Sequence, residues 1–266
     1  MAAGVVFLVV FLLLHSRKGA HSGLVSQPQP VTNAVTTAQL PSPGTTVSAA
    51  AVLDKLDKWN AAHPNYHCIF TTAYPNGSVA SKMDIYSYTN GTGGPTVRFH
   101  AQMFNPNLQF LGVRENGKLE FYFPRDKQLI EPDMARERFF TPTLPGTFTS
   151  VKDLLKLAKS SFAEASEDLE VATLVIDGTA VNMPTNVVYL SFRINSQGKL
   201  LGVDEQQKNQ RSSSTMDYLS FDREAIKLEA PVLPVGITVV TNKSFIETLR
   251  DELKSQILKP LYSKTI

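Results

Sequence analysis

The sequence predicts a mainly β fold, a single curved antiparallel sheet with helices laid on one face. Three observations predict it. Residues 113–130 (VRENGKLEFYFPRDKQLI) read as two short alternating strands joined by Asn116-Gly117, with a third strand joined through Pro124-Arg125-Asp126. Asn-Gly between alternating apolar runs is the strongest short-range hairpin signal, because a primed turn needs φ > 0 at both central residues. Further runs alternate in the same way, and the turn signals Asn76-Gly77, Asn90-Gly91, Asp177-Gly178 and Ser196-Gln197-Gly198 fall at the short spacing of antiparallel strands rather than of βαβ units.

Residues 2–14 form an uncharged apolar run of 13 residues, followed by Arg17-Lys18 and by Ala20-His21-Ser22. The run is short for a membrane span and suits a signal-peptide core with a small-x-small cleavage site. The missing basic residue ahead of it leaves an uncleaved anchor, or a buried core segment, as the alternatives. Residues 1–22 are therefore expected to be a signal peptide or membrane anchor, and either places the domain outside the cytoplasm. Residues 23–47 carry no charge and are rich in Pro, Thr, Ser, Gln and Val. Such a composition cannot bury enough apolar surface to offset its ordering entropy, and a flexible tether is expected there.

Ser48 opens a helical pattern in which Val52, Leu56, Trp59 and Ala62 or His63 share a face, ending before Pro64. A first strand follows at 67–74, with the only cysteine, Cys68, expected as a buried structural thiol. Residues 96–103 alternate Val97, Phe99, Ala101 and Met103 against Arg98, His100 and Gln102. In residues 118–123 Leu119, Phe121 and Phe123 share one face, opposed by Glu120 and Tyr122. Ser150 with Asp153 suggests a helix carrying Val151, Leu154, Leu155, Ala158 and Phe162. Residues 187–194 alternate Val188, Leu190, Phe192 and Ile194 against Tyr189, Ser191 and Arg193. Ser244-Phe245-Ile246-Glu247 has capping-box spacing, and Ile246, Leu249, Leu253 and Ile257 form an apolar stripe. The expected divisions are a sheet domain over 48–241 and a C-terminal amphipathic helix and tail over 242–266.

Chemistry-bearing motifs are scarce. There is no nucleophile elbow, zincin helix, phosphate loop or dinucleotide glycine fingerprint. His63, His67, His100 and Cys68 fail as a zinc set, since Pro64 separates His63 from His67 and the neighbours His67 and Cys68 point to opposite sides of a strand. Glu164, Glu167, Asp168 and Glu170 read as a solvated loop and helix end, and 206–211 (QQKNQR) as an exposed turn. The Asn-x-Ser/Thr triplets at Asn76, Asn90 and Asn242 are short enough to arise by chance. With 26 basic against 24 acidic residues and no basic stripe interleaved with aromatics, nucleic acid is not expected as a partner. A single cysteine excludes an internal disulfide and a CxxC pair. What remains is the sheet face bearing Val97, Phe99, Met103, Leu119, Phe121 and Phe123, which either closes a core under the helices or receives something apolar.

Three stretches carry a resemblance. The first is Asn116-Gly117-Lys118-Leu119-Glu120-Phe121-Tyr122-Phe123-Pro124 with Lys127-Gln128-Leu129-Ile130. The second is Ser196-Gln197-Gly198-Lys199-Leu200 followed by Gln206 to Ser213, and the third is Pro234-Val235-Gly236-Ile237-Thr238-Val239. In this order, over roughly two thirds of the chain from Trp59 to Thr241, they resemble the LolA-like periplasmic lipoprotein carriers and the wider superfamily of open-barrel lipid and lipoprotein binders. The resemblance implies an incomplete β-barrel lidded by helices, in which Val97, Phe99, Met103, Leu119, Phe121 and Phe123 line a hydrophobic cavity for acyl chains. It implies a monomeric, non-enzymatic carrier in the periplasm, needing no cofactor and no metal. Acylated lipoprotein or lipid would be its cargo, taken from an inner-membrane transporter to an outer-membrane acceptor. The family's Arg-Pro pair, whose arginine holds the lid, is replaced by Gly94-Pro95, with Arg98 three residues beyond. That departure, with the added tether and C-terminal helix, leaves an alternative of the same fold: an envelope sensor or interaction module that binds lipoproteins or a partner protein.

Overall fold

A computed structural model describes residues 47–90, 95–104, 107–116, 118–132, 152–177, 187–207, 210–245, 247–249 and 251–252. The expectations for the leader and the tether through Thr46, and for the stripe residues Ile246, Leu253 and Ile257, lie outside these residues. In chain order the elements are α1 (Ala49–Ala62), β1 (Tyr66–Ala73), β2 (Val79–Thr89), β3 (Pro95–Phe104), β4 (Asn107–Glu115), β5 (Lys118–Phe123) and β6 (Gln128–Glu131). They continue with α2 (Lys152–Leu157), β7 (Ala158–Ala165), β8 (Leu169–Ile176), β9 (Val188–Asn195), β10 (Leu200–Gln207), β11 (Gln210–Ser220), α3 (Arg223–Glu229) and β12 (Val239–Thr241).

All twelve strands among the described residues belong to one curved sheet, ordered β12-β6-β5-β4-β3-β2-β1-β11-β10-β9-β8-β7, whose two end strands do not meet. The fold is thus an open barrel. Consecutive strands pair antiparallel from β1 to β6 and from β7 to β11, and β1 pairs with β11 to join the halves β2–β6 and β7–β10. One pair departs from the expected antiparallel rule: β12 runs parallel to β6, with Val239 opposite Leu129 and Thr241 opposite Glu131. The chain reaches β6 there after passing over the sheet's outside, so it arrives in the same direction as β6.

Alternation decides which residues face inward. Phe99 is opposite Gly112, which is opposite Phe121, which is opposite Ile130, so these four share the inner face. The meander over 113–130 is found as expected, and Asn116 takes φ 51° at its turn. Helix α1 is capped by Ser48, whose side chain accepts from the Ala51 N–H, and it buries Val52, Leu53, Leu56 and Trp59 against the inner face.

Two elements differ from expectation. The helix after Ser150 ends at Leu157, and Ala158 and Phe162 lie instead on β7, where Phe162 pairs with Thr173 of β8. This edge strand is mostly exposed and only its small residues Ala158 and Ala163 pack on the core, so it shows no clear alternation and the spacing of its apolar residues mimics a helix. In the run 206–211, read as an exposed turn, Gln206 and Gln207 still belong to β10 and Gln210 and Arg211 already to β11, with Gln206 opposite Arg211 and Gln207 opposite Gln210, while residues 208 and 209 lie outside the described residues. Helix α3 was not expected; it lies on the outer face, where Ile226 and Ala230 cover Tyr86 and Tyr88.

Candidate binding site

The inner face of β3–β6 is built from aromatic rings. Phe99 lies edge-on to Phe110 (6.3 Å between ring centroids) and to Phe121 (6.2 Å), and Phe110 stacks on Phe123 at 5.7 Å. Edge-to-face and offset pairs at these spacings satisfy the ring quadrupoles. Room for Phe99 comes from Gly112: a Cβ there would stand 2.1 Å from the Phe99 Cζ. Glycine at this position is a packing requirement, because the ring crosses the strand where any side chain would be.

All six residues expected to line a cavity are buried within one continuous cluster: Val97, Phe99, Met103, Leu119, Phe121 and Phe123. Two further rings belong with them. Phe110 projects from β4, and Phe245 begins the C-terminal helical segment, 4.2 Å from Phe121, 5.4 Å from Phe110 and 5.8 Å from Phe123. The capping expected at Ser244 is present, its Oγ accepting from the Glu247 N–H. The segment turns Phe245, Leu249 and Glu252 inward. That i, i+4, i+7 spacing is visible in the sequence, but a carboxylate on the stripe hides it.

The other half of the sheet is more polar inside. Lys55 of α1 is ion-paired with Glu170 of β8, whose carboxylate is buried. Glu170 is therefore part of the α1–sheet contact, not of a solvated acidic loop as the sequence suggests. Thr72 and Ser214 share a buried hydrogen bond (3.0 Å), and Ser212 donates to the buried Glu205 (3.4 Å). The turn after β9 docks on α1 through Gly198 (φ 88°), where a Cβ would meet the Lys55 carbonyl oxygen at 2.5 Å. On the outside of this half, an open cleft of about 280 Å³ is bordered by Phe162, Tyr189, Glu164, Asp204 and Arg211.

Arg98, the arginine nearest the family's lid position, points to the outer face. It donates to the Pro231 carbonyl (3.2 Å) and lies 3.6 Å from Glu115, so it fastens the chain after α3 to the outside of β3. Cys68 is buried on the inner face, and burial pushes its thiol up to about 12. Among the described residues no group of three or more His, Cys, Asp or Glu could hold a metal ion. Among them, too, no helix is long and apolar enough to cross a membrane.

An open single-sheet barrel with an aromatic-lined inner face is the class that the fold and this face define. No family model and no curated protein matches the chain. Among solved structures it is similar to LprF from Mycobacterium bovis (9% identity, 71% of this chain and 97% of that one, TM-score 0.40). It is similar also to the Mycobacterium tuberculosis lipoprotein LppX (10% identity, 65% and 98%, TM-score 0.42). A LolA superfamily protein from Nitrosomonas europaea, of the family that the sequence motifs resemble, overlaps 65% of this chain and 92% of its own at 14% identity and a TM-score of 0.31. Overlaps this loose assign nothing to the chain.

Proposed function

We propose that the protein binds the acyl chain of a lipoprotein or lipid against the inner face of β3–β6, as a divergent relative of the LolA-like carriers and without catalysing a reaction. The observation that carries this reading is the concentration of Phe99, Phe110, Phe121 and Phe123 on the inside of an open sheet. Each buried CH₂ of a ligand there gains about 0.8 kcal/mol. A chain of a dozen methylenes gains about 10 kcal/mol, the same order as the roughly 4–15 kcal/mol that association costs. Val97, Met103 and Leu119 extend the apolar lining beyond the rings. In the finer form of the proposal the protein is exported to the periplasm, receives its cargo from an inner-membrane transporter and passes it to an outer-membrane acceptor.

A second reading, a sensor or interaction module of the same fold, is favoured by one observation. Leu228, Val232 and Val235, on and just after α3, are 87%, 70% and 93% exposed, an apolar run on the outside of the sheet that suits a protein partner. Native mass spectrometry of the protein purified from the periplasm of an expression host tests the choice. Lipid or lipopeptide adducts support the carrier; a ligand-free monomer that captures no acylated peptide on titration removes it.

A further inference from the structure

The outer face of β7–β11 carries a cleft that acyl binding leaves unused. Strand register sets its side chains in rows. The middle row runs from Phe162 on β7 through Thr173 and Ser191 to Asp204 on β10. On one side of it Tyr189, Gln206 and Arg211 lie opposite one another, and on the other side Glu164 begins the next row. Thr173 and Ser191 are the small members, so the surface is hollow above them and about 280 Å³ stands open to solvent. Their hydroxyls, hydrogen-bonded at 2.8 Å, make a polar floor. Phe162 and Tyr189 border the same hollow, 50% and 41% exposed. By ordinary sheet spacings their Cα atoms stand roughly 12 Å apart, on either side of the floor. A single exposed apolar residue needs no explanation, but two rings flanking one polar hollow offer a ligand flat apolar faces.

The polar groups around the rings are of two kinds. Asp204 is fixed in place. Arg193 lies along the sheet, donating from Nη2 to the Ser214 carbonyl at 2.7 Å, and its Nε is ion-paired with the Asp204 carboxylate at 3.2 Å. Asp204 also accepts from the Ser213 Oγ at 2.5 Å, so that its orientation is set before any ligand arrives. Glu164, Gln206 and Arg211, by contrast, have no side-chain partner among the described residues and keep their donors and acceptors for something else. In sum the charges cancel, Glu164 against Arg211 and Asp204 against Arg193, while the buried Glu205 accepts from Ser212 on the inner face.

We propose that this cleft binds a neutral saccharide, taking one pyranose ring of a longer glycan. A pyranose is apolar on the C–H face of its ring and polar around its rim. Its C–H face lies on Phe162 or Tyr189, where positively polarised hydrogens meet the negative π face. Its hydroxyls donate to the Asp204 and Glu164 carboxylates and accept from Gln206 and Arg211. Balanced charge selects a ligand that carries none. At about 280 Å³ the cleft lies just below the roughly 300–1,000 Å³ of ordinary small-molecule sites, which limits it to a single ring and leaves the rest of the glycan in water. The cleft faces away from the inner side of the sheet, so its ligand is not the headgroup of a chain bound within, and the proposal stands independently of the acyl-binding reading.

The test is saturation-transfer NMR of the full chain with cellotriose, maltotriose, mannotriose and N-acetylated chitotriose, and with trilysine as a cationic rival. Saturable binding of at least one trisaccharide is expected, with the strongest transfer at the C–H protons of one ring. Phe162→Ala and Tyr189→Ala should each weaken it about fivefold, and Asp204→Asn by a similar factor. Phe162 sits on the exposed edge strand, so its variant keeps the wild-type melting temperature and decides the matter if either of the others unfolds. No saturable binding of any of the trisaccharides overturns the proposal. Binding that neither ring substitution weakens places the sugar elsewhere and overturns it too. So does trilysine binding more tightly than every saccharide and losing affinity in Glu164→Gln, which makes the cleft a cation site.

Discussion

The two halves of the sheet solve the same packing problem differently. In β3–β6 the centre of the inner face is ring and aliphatic, with room for the Phe99 ring over Gly112, and polar side chains enter only towards the strand ends, where Arg114 lies opposite Val97 and Leu119 and Gln128 opposite Phe123. In β7–β10 the inner face is aliphatic under α1 but includes Glu170, which needs Lys55, and Glu205, which takes a hydroxyl from Ser212. Charge inside a fold needs partners and fixes one arrangement; rings need only neighbours at suitable distances and accept a substitute. The aromatic half is for that reason the face on which the proposed acyl chain would lie. The polar half holds the helix that keeps the barrel in shape.

The seam between the halves, β1 against β11, yields the largest expected effect. Burial raises the ionisation of Cys68 from 9.0 to about 12, and it raises Tyr66 and Tyr218 above their usual 10.0. A group whose folded pKa is raised contributes stability that is complete below its unfolded pKa and lost as pH climbs towards the folded one. The protein should therefore melt at a nearly constant temperature up to about pH 9 and progressively lower above it, and Cys68→Ala should flatten the first part of that fall. A melting temperature unchanged to pH 11 would show that these groups are wetter than their burial implies.

Within the aromatic half, Phe121→Ala removes a fully buried ring shared by Phe99, Phe110 and Phe245, and should cost about 3–5 kcal/mol in a chemical denaturation. Gly112→Ala should cost about 1–3 kcal/mol, since the new methyl must push the Phe99 ring aside. In the polar half, Lys55→Met strands the buried Glu170, but Lys55 is itself 42% exposed and solvent screens the pair. About 1–2 kcal/mol is expected there, and most of it should return in Lys55→Met/Glu170→Gln. Phe162→Ala, on the exposed edge strand, should change stability by no more than about 0.5 kcal/mol. An equal loss from Phe121→Ala and Phe162→Ala would erase the distinction between the halves.

The aromatic half was the legible one. Its hairpins announce themselves by Asn116 and by strict alternation, so Phe99, Phe121 and Phe123 could be placed on one face from parity alone. Edge strand β7 was hidden because its inward contacts are made by small residues, Ala158 and Ala163, and its large apolar residue, Phe162, is exposed, so no alternation of bulky residues marks it. Phe245 was not singled out because the buried set it forms with Leu249 ends on Glu252, and a carboxylate is not expected at a core position unless its partner, here Arg125, is known. Helix α3 is short and offers only Ile226 and Ala230 as buried apolar residues, which cover the outward-facing Tyr86 and Tyr88 and make no stripe that the sequence would show. Local turn chemistry is written in neighbouring residues; pairings across a hundred positions, such as Lys55 with Glu170, are not.

The central claim is that an acyl chain lies on the inner face of β3–β6, and photo-crosslinking tests it most directly. A diazirine-bearing palmitate, bound to the full-length protein, irradiated and mapped by peptide mass spectrometry, should label residues of β3–β5 around Phe99, Phe110 and Phe121. Labelling confined to the outer cleft beside Phe162 and Tyr189, or to Leu228 and Val232 on the outside of the sheet, would contradict it.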